Sequence, residues 1–325
     1  MWIAMRLEGS HVAGLMPRSE TLIASYRRLA AGRESPDSLR KLAQEETHET
    51  ISIQLKSGIT FAVEGQLLWH DLLRPFTDSL GGLRPGPLTR WFDNNLFYRK
   101  PVIVAKLERT APILPKYLFT ELLDGLAWKL VLPEPYTFYS LSDDQAYRSP
   151  EEAILDLAAI FSEELRTLAP RQPAILQLTA PSIAFKTLSQ DEIEIVKESV
   201  RTVRKGFGEK VMLHIPFADA SKAFPWILDL GADIVGVDPY LTELKALKEY
   251  SFEGSLAVGA MDSRNSYIES IEELKRILDA ASTVEARSLH LTTSADMEAL
   301  PRGVSISKVK RLGEAFRALR EGDLG

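Results

Sequence analysis

The chain of 325 residues contains no cysteine. That absence excludes a disulfide framework and every thiolate-held metal site, so any metal would depend on His, Asp or Glu. No apolar run approaches the roughly 20 residues that a membrane-spanning helix needs. The opening residues, MWIAMRLEGS, are too short and too charged for the apolar stretch of a signal peptide, and a cytoplasmic location is expected. A basic excess is also missing. The 39 Lys and Arg against 45 Asp and Glu leave a net charge of −6, which argues against a nucleic-acid surface and leaves small molecules or proteins as partners. No linker rich in Gly, Ser or Pro and no internal repeat divides the chain, so one domain is the simpler expectation.

What is present is alternation. From about residue 58 onward, short β-branched runs alternate with amphipathic helical patterns, as parallel βα units do. The runs are Ile59 to Val63, Val102 to Leu107, Lys129 to Leu132, Ala174 to Leu178, Val211 to Ile215, Ile234 to Val237, Leu256 to Val258 and Ser288 to Leu291. Eight such strands close a single (β/α)8 TIM-like barrel, predicted over residues 58–325. Residues 1–57 read as a helical N-terminal extension packed on that barrel, with helices over Glu20 to Ala31 and Pro36 to Leu55. Ser149 with Pro150 and Glu152, and Ser189 with Glu192, carry the side chains that cap a helix start. Ile193, Val196, Val200 and Val203 then mark one apolar face.

In a barrel of this kind chemistry gathers at the carboxyl ends of the strands, where the following loops converge. His214, in VMLHIPFADAS, and Asp238, in GVDPY, stand at two such ends. They are either acid–base groups, or a weak metal pair completed by His290 or Asp219, or a mouth histidine hydrogen-bonded to a neighbouring carboxylate such as Asp238. His290 lies inside a strand and reads as a satisfied core histidine; His11, His48 and His70 read as structural or surface residues. In RWFDNN, Arg90, Asp93, Asn94 and Asn95 suit either a flat polar ligand or a network tying a loop to the barrel. Asp262, Arg264 and Asn265 follow the seventh strand, where Arg264 can meet a ligand carboxylate or simply Asp262. Trp69, Trp91 and Tyr136 are aromatics near the expected mouth, as core or as stacking faces.

Several segments resemble the cobalamin-independent methionine synthases. VAGLMPRSETL (12–22), FAVEGQLLWHDLLRPF (61–76), EPYTFYSLSD (134–143) and LQLTAPSI (176–183) each match a family segment. LTRWFDNNLFYRKPVI (88–103) and AVGAMDSRNSYIES (257–270) are similar to stretches characteristic of the N-terminal, zinc-free barrel of the two-barrel enzymes. The resemblance implies a barrel of the methionine synthase superfamily and methyl transfer from a methyl-folate to homocysteine. It also implies a zinc site of His, two Cys and Glu in the catalytic barrel. Carried onto this chain, the His is His214, the first Cys falls on Pro216, the Glu on Asp238 and the second Cys near Ala295. The acid that holds the homocysteine amine becomes Gln66, and the Asp-Glu pair becomes Thr179 and Ala180.

The resemblance therefore implies a degenerate zinc site and no resident cofactor, with methyl-folate as a co-substrate. Gln66, Trp69, Asp71, Asp93, Asn95, Tyr136, Thr179, Asp262, Arg264 and Asn265 are the expected substrate-binding residues, with His214 and Asp238 as the catalytic pair. The expected function is a methionine-synthase-like role in methyl transfer to homocysteine, as a subunit beside a separate zinc-bearing catalytic chain. The alternatives are a stand-alone barrel enzyme using His214 and Asp238 on a new substrate, and a non-catalytic binding or structural subunit.

Overall fold

The computed structural model describes residues 6–321 except Asp93 and Asn95. Eight parallel strands form one sheet: β1 (Leu7–His11), β2 (Ala62–Val63), β3 (Trp128–Pro133), β4 (Ile175–Thr179), β5 (Lys210–Ile215), β6 (Ile234–Val237), β7 (Ser255–Met261) and β8 (Leu289–Thr293). Their order is β1-β8-β7-β6-β5-β4-β3-β2. The two ends of that order meet, because the backbone N–H groups of Thr60 and Phe61 both donate to the Ser10 carbonyl at 3.1 Å. The sheet is a TIM-like barrel, as expected.

Two assignments change. Leu7–His11 is a barrel strand, so residues 1–57 are not simply an extension; only α1 (Glu20–Ala30) and α2 (Pro36–Ser57) match that description. The segment LEGSH lacks the apolar run of its neighbours because it carries Gly9 where side chains need room. A Cβ on Gly9 would lie 2.6 Å from the Phe61 ring and 3.0 Å from His290 Nδ1. The run Val102 to Leu107, expected as a barrel strand, belongs to the return strand Phe97–Glu108 of an antiparallel hairpin with Gly81–Arg90. Its burial is broken, with Val102 and Ile103 buried but Val104, Ala105 and Lys106 exposed, whereas a parallel barrel strand is covered on both faces along its length.

The helices start where their caps are. Ser19 and Ser35 accept hydrogen bonds from Leu22 and Ser38 at the heads of α1 and α2, and Gly58 ends α2 at φ 84°, a left-handed turn suited to glycine. Ser189 and Glu192 form the reciprocal capping box of helix Gln190–Arg204, whose Val196, Val200 and Val203 are buried against the barrel. Each such buried aliphatic side chain contributes about 1.5–3 kcal/mol.

The barrel interior is layered. Phe61, Ile175, Met212, Ile234 and Ala257 form an apolar floor. Two residues further along the same strands the character reverses, to Gln177 on β4, His214 on β5 and Gly236 on β6. His11, Lys129 and His290 complete this polar layer, and all five side chains are 0–1% exposed.

Candidate functional site

β5 brings His214 into this layer beneath the mouth. Its Nδ1 lies 3.3 Å from Gln177 Nε2, and its Nε2 has no hydrogen-bond partner. Burial, followed by the charge of Lys129, pushes the imidazole down to about 3, with the Ser294 backbone working the other way. Gln177 also donates to Thr179 Oγ1 at 3.1 Å and accepts from Lys129 Nζ. Lys129 Nζ lies 3.1 Å from His11 Nδ1 and donates to the Ala13 carbonyl at 3.3 Å. Burial pushes the Lys129 amine well down, opposed by Asp296. Gly236 makes room for the histidine, since a Cβ there would lie 2.7 Å from His214 Cδ2.

His290 is buried, as expected of a core histidine, but it is not satisfied. Neither ring nitrogen has a hydrogen-bond partner; Nε2 is 3.8 Å from Glu8, and the ring lies between Phe61 and His11 at centroid distances of 6.0 and 5.6 Å. Burial lowers it to about 4, against the pull of Glu8.

Asp238, at the end of β6, is fully buried. Its Oδ1 accepts from the Tyr240 N–H at 3.0 Å. Its Oδ2 lies 3.4 Å from Arg264 Nη1 as an ion pair without hydrogen-bond geometry. Burial raises its carboxyl to about 6, with Arg264 opposing. No hydrogen bond or ion pair joins Asp238 to His214 among the described residues, and the histidine's partner is Gln177 instead. Arg264 meets Asp262 through Nε at 2.9 Å and lies over the Tyr240 ring at 5.3 Å. Asp262 also accepts from Asn265 Nδ2 at 2.7 Å, and Asn265 in turn accepts from the Tyr267 N–H. Asp262 and Asn265 also line an outer cleft of about 530 Å³ with Tyr240, Leu244 and Tyr267.

The other expected binding residues each hold a partner within the chain. Gln66, at φ 54°, donates to the Val131 carbonyl at 3.0 Å. Trp69 is fully buried and donates to the Tyr117 carbonyl at 3.2 Å. Asp71 accepts from the N–H groups of Leu73 and Arg99, tying the hairpin down. Tyr136 donates to Glu192 at 2.8 Å. Thr179 receives Gln177. Asp93 and Asn95 lie outside the described residues. Between them Asn94 accepts from the Leu96 N–H, Arg90 lies over Phe97, and Trp91 packs edge-on against Phe92 and Tyr98. Phe92 reaches Phe185, beyond the end of β4, so the hairpin tip lies against the mouth loops.

Sequence reasoning passed over Lys129 and Gln177, although each is a lone polar residue in an apolar strand at an inward register. Glu134, a strand-end residue given no role from the sequence, is fully buried, caps the helix Pro135–Ser140 by accepting from Tyr136 and Thr137, and is raised to about 7 by burial. Asp296 and Glu298 face Asp71 and Trp91 across a narrow slot. Burial raises them to about 6 and about 8.

Zinc can be tested against this donor set. Pro216 and Ala295 offer no side-chain ligand, Asp238 is turned toward Arg264, and His214 Nδ1 faces an amide. Asp219, a possible third ligand, accepts from the Ser221 N–H at the head of its own turn, and His290 sits with Phe61 and His11. No group of three or more His, Cys, Asp and Glu among the described residues could hold a metal ion. The residues present do not fit the family's zinc site.

A parallel eight-stranded barrel with a polar interior and its loops gathered at the strand ends defines a TIM-barrel protein. The chain belongs to the cobalamin-independent methionine synthase family, since the family described as "Cobalamin-independent synthase, N-terminal domain" matches residues 81–286. The methionine synthase of Saccharolobus solfataricus is 24% identical over 322 residues, covering 95% of this chain and 94% of that protein. That of Sulfurisphaera tokodaii is 25% identical over 326 residues, covering 95% and 92%. The structure of a B12-independent methionine synthase from Shewanella sp., in complex with selenomethionine, superposes with a TM-score of 0.81 at 18% identity, covering 98% of this chain and 99% of that one. A putative vitamin-B12-independent methionine synthase from Listeria monocytogenes gives 0.75 at 15% identity, covering 97% and 98%. Among the described residues no helix is long and apolar enough to cross a membrane.

Proposed function

We propose that this chain serves methyl transfer to homocysteine in the cytoplasm as a counterpart of the family's N-terminal barrel, beside a separate chain that carries the zinc. One observation carries the reading: of the four positions that would hold zinc, Pro216 and Ala295 have no donor, while His214 and Asp238 face other partners. The matching family model, which is that of the N-terminal domain, supports the same assignment. A zinc-bound thiolate needs a site that lowers the thiol pKa, and this mouth supplies no such site. Its contribution is to bind the methyl donor or homocysteine. The test is calorimetric titration of the isolated chain with methyl-folate and homocysteine, followed by a methionine-formation assay with and without a zinc-bearing catalytic chain. Binding of one ligand, with turnover only in the mixture, is expected. Binding of neither would leave a structural or regulatory subunit.

A second reading has its own support. The two curated relatives run the same single-barrel length and are themselves named methionine synthase, and Asp238 keeps a buried carboxylate oxygen without a hydrogen bond. On that reading the barrel works alone, with His214 and Asp238 as acid–base groups. His214→Ala and Asp238→Asn would then each abolish turnover by the isolated chain.

A further inference from the structure

The polar layer contains a directed chain of hydrogen bonds. Lys129 Nζ has at least two hydrogens in either charge state, and the lone pair of the neutral amine has His11 Nδ1 at 3.1 Å as its partner. The Ala13 carbonyl, which can only accept, takes one of the hydrogens. Gln177 takes another through Oε1. The amide of Gln177 is thereby oriented, and its Nε2 is left to donate to Thr179 Oγ1 at 3.1 Å and toward His214 Nδ1 at 3.3 Å. A ring nitrogen that faces an N–H must be the unprotonated one, which puts the proton of a neutral imidazole on Nε2. That Nε2 is buried and has no hydrogen-bond partner among the described residues, and the Ser294 backbone lies near the ring.

We propose that Lys129 is a positioning residue that, through Gln177, fixes His214 in the Nε2–H form. The ring therefore presents a donor at Nε2 to an acceptor atom of a bound molecule, and its one lone pair, on Nδ1, is taken by the Gln177 N–H rather than open to a metal. This rests on the reading that the barrel holds no zinc, and it adds the device that enforces it. Gln177 decides the outcome because an amide shows its N–H to the ring, whereas a carboxylate in its place shows only acceptors and draws the proton to Nδ1.

Long-range ¹H–¹⁵N NMR of the full chain with labelled histidine reads the tautomer, and His214→Gln identifies the signal. In the wild type Nδ1 is expected to be pyridine-like and Nε2 pyrrole-like. Gln177→Glu is expected to invert the two, and Lys129→Met to replace the single tautomer with a mixture. A wild-type His214 protonated on Nδ1 overturns the proposal without any variant. An unchanged tautomer in folded Gln177→Glu overturns it as well, and an unchanged tautomer in folded Lys129→Met removes Lys129 from it. Methionine formation by the isolated chain would instead overturn the functional reading while leaving the tautomer as measured, so the two failures are distinct.

Discussion

The floor and the polar layer of the barrel are built on the same strands, two residues apart, and they are held together by different physics. In the floor, Ile175, Met212 and Ile234 need only fill volume. In the layer above, Gln177 and His214 on two of those strands, with Lys129, are buried and must each find a partner among neighbouring groups. They do so through hydrogen bonds that run from Lys129 to the ring. A barrel can thus hold polar groups at depth when they form a chain of hydrogen bonds. In this layer the atoms left without a partner are His214 Nε2, His11 Nε2 and both ring nitrogens of His290.

The largest expected effect breaks the upper layer. Lys129→Ala strands Gln177 Oε1, the Ala13 carbonyl and His11, and should cost about 1–3 kcal/mol for each buried group left unpaired, read by urea unfolding. Met212→Ala in the floor leaves only a cavity, expected to cost about 2–5 kcal/mol. Were the floor variant clearly the worse of the two, the polar chain would not be the more demanding layer. Gly236→Ala tests the join between layers. Its Cβ would meet Met212 Cε at 2.4 Å and His214 Cδ2 at 2.7 Å, and overpacking of this kind costs about 1–3 kcal/mol.

A pH series sharpens the comparison further. His290 is held at about 4, against an ordinary 6.5, so the folded chain resists its protonation. Its contribution to stability is whole above 6.5 and is lost as the pH falls toward 4, because the unfolded chain takes the proton first. His290→Gln should flatten that acid limb of the thermal midpoint, and an equally steep limb in the variant would place its cause elsewhere. The smallest effect is local. Arg264→Gln should move the Asp238 carboxyl above about 6, since burial raises it and Arg264 restrains it. A ¹³C titration of the carboxyl reads the shift.

The barrel was legible in the sequence because seven of its strands are apolar runs or follow one, and the helix starts because Ser149 and Ser189 act locally. Leu7–His11 escaped because Gly9, Ser10 and His11 serve the interior without looking apolar. Val102 to Leu107 misled because a half-buried hairpin and a barrel strand share β-branched residues and differ only in what covers the second face. At the site, the position of His214 could be read from its strand, whereas its partner could not. The partner is Gln177 on the neighbouring strand, set by the pairing of Thr179 with His214 in register. The loss of the family's sulfur ligands at Pro216 and Ala295 was plain from residue identity alone, since no arrangement of the chain can make a donor of either.

The central claim is that this member of the family does not itself carry the zinc chemistry. The most direct measurement is the zinc content of the purified chain, taken together with methionine formation by that chain alone and after addition of a zinc-bearing catalytic chain. The account predicts far less than one zinc per chain and methionine only in the mixture. One zinc per chain, lost in His214→Ala together with methionine formation by the chain alone, would contradict it.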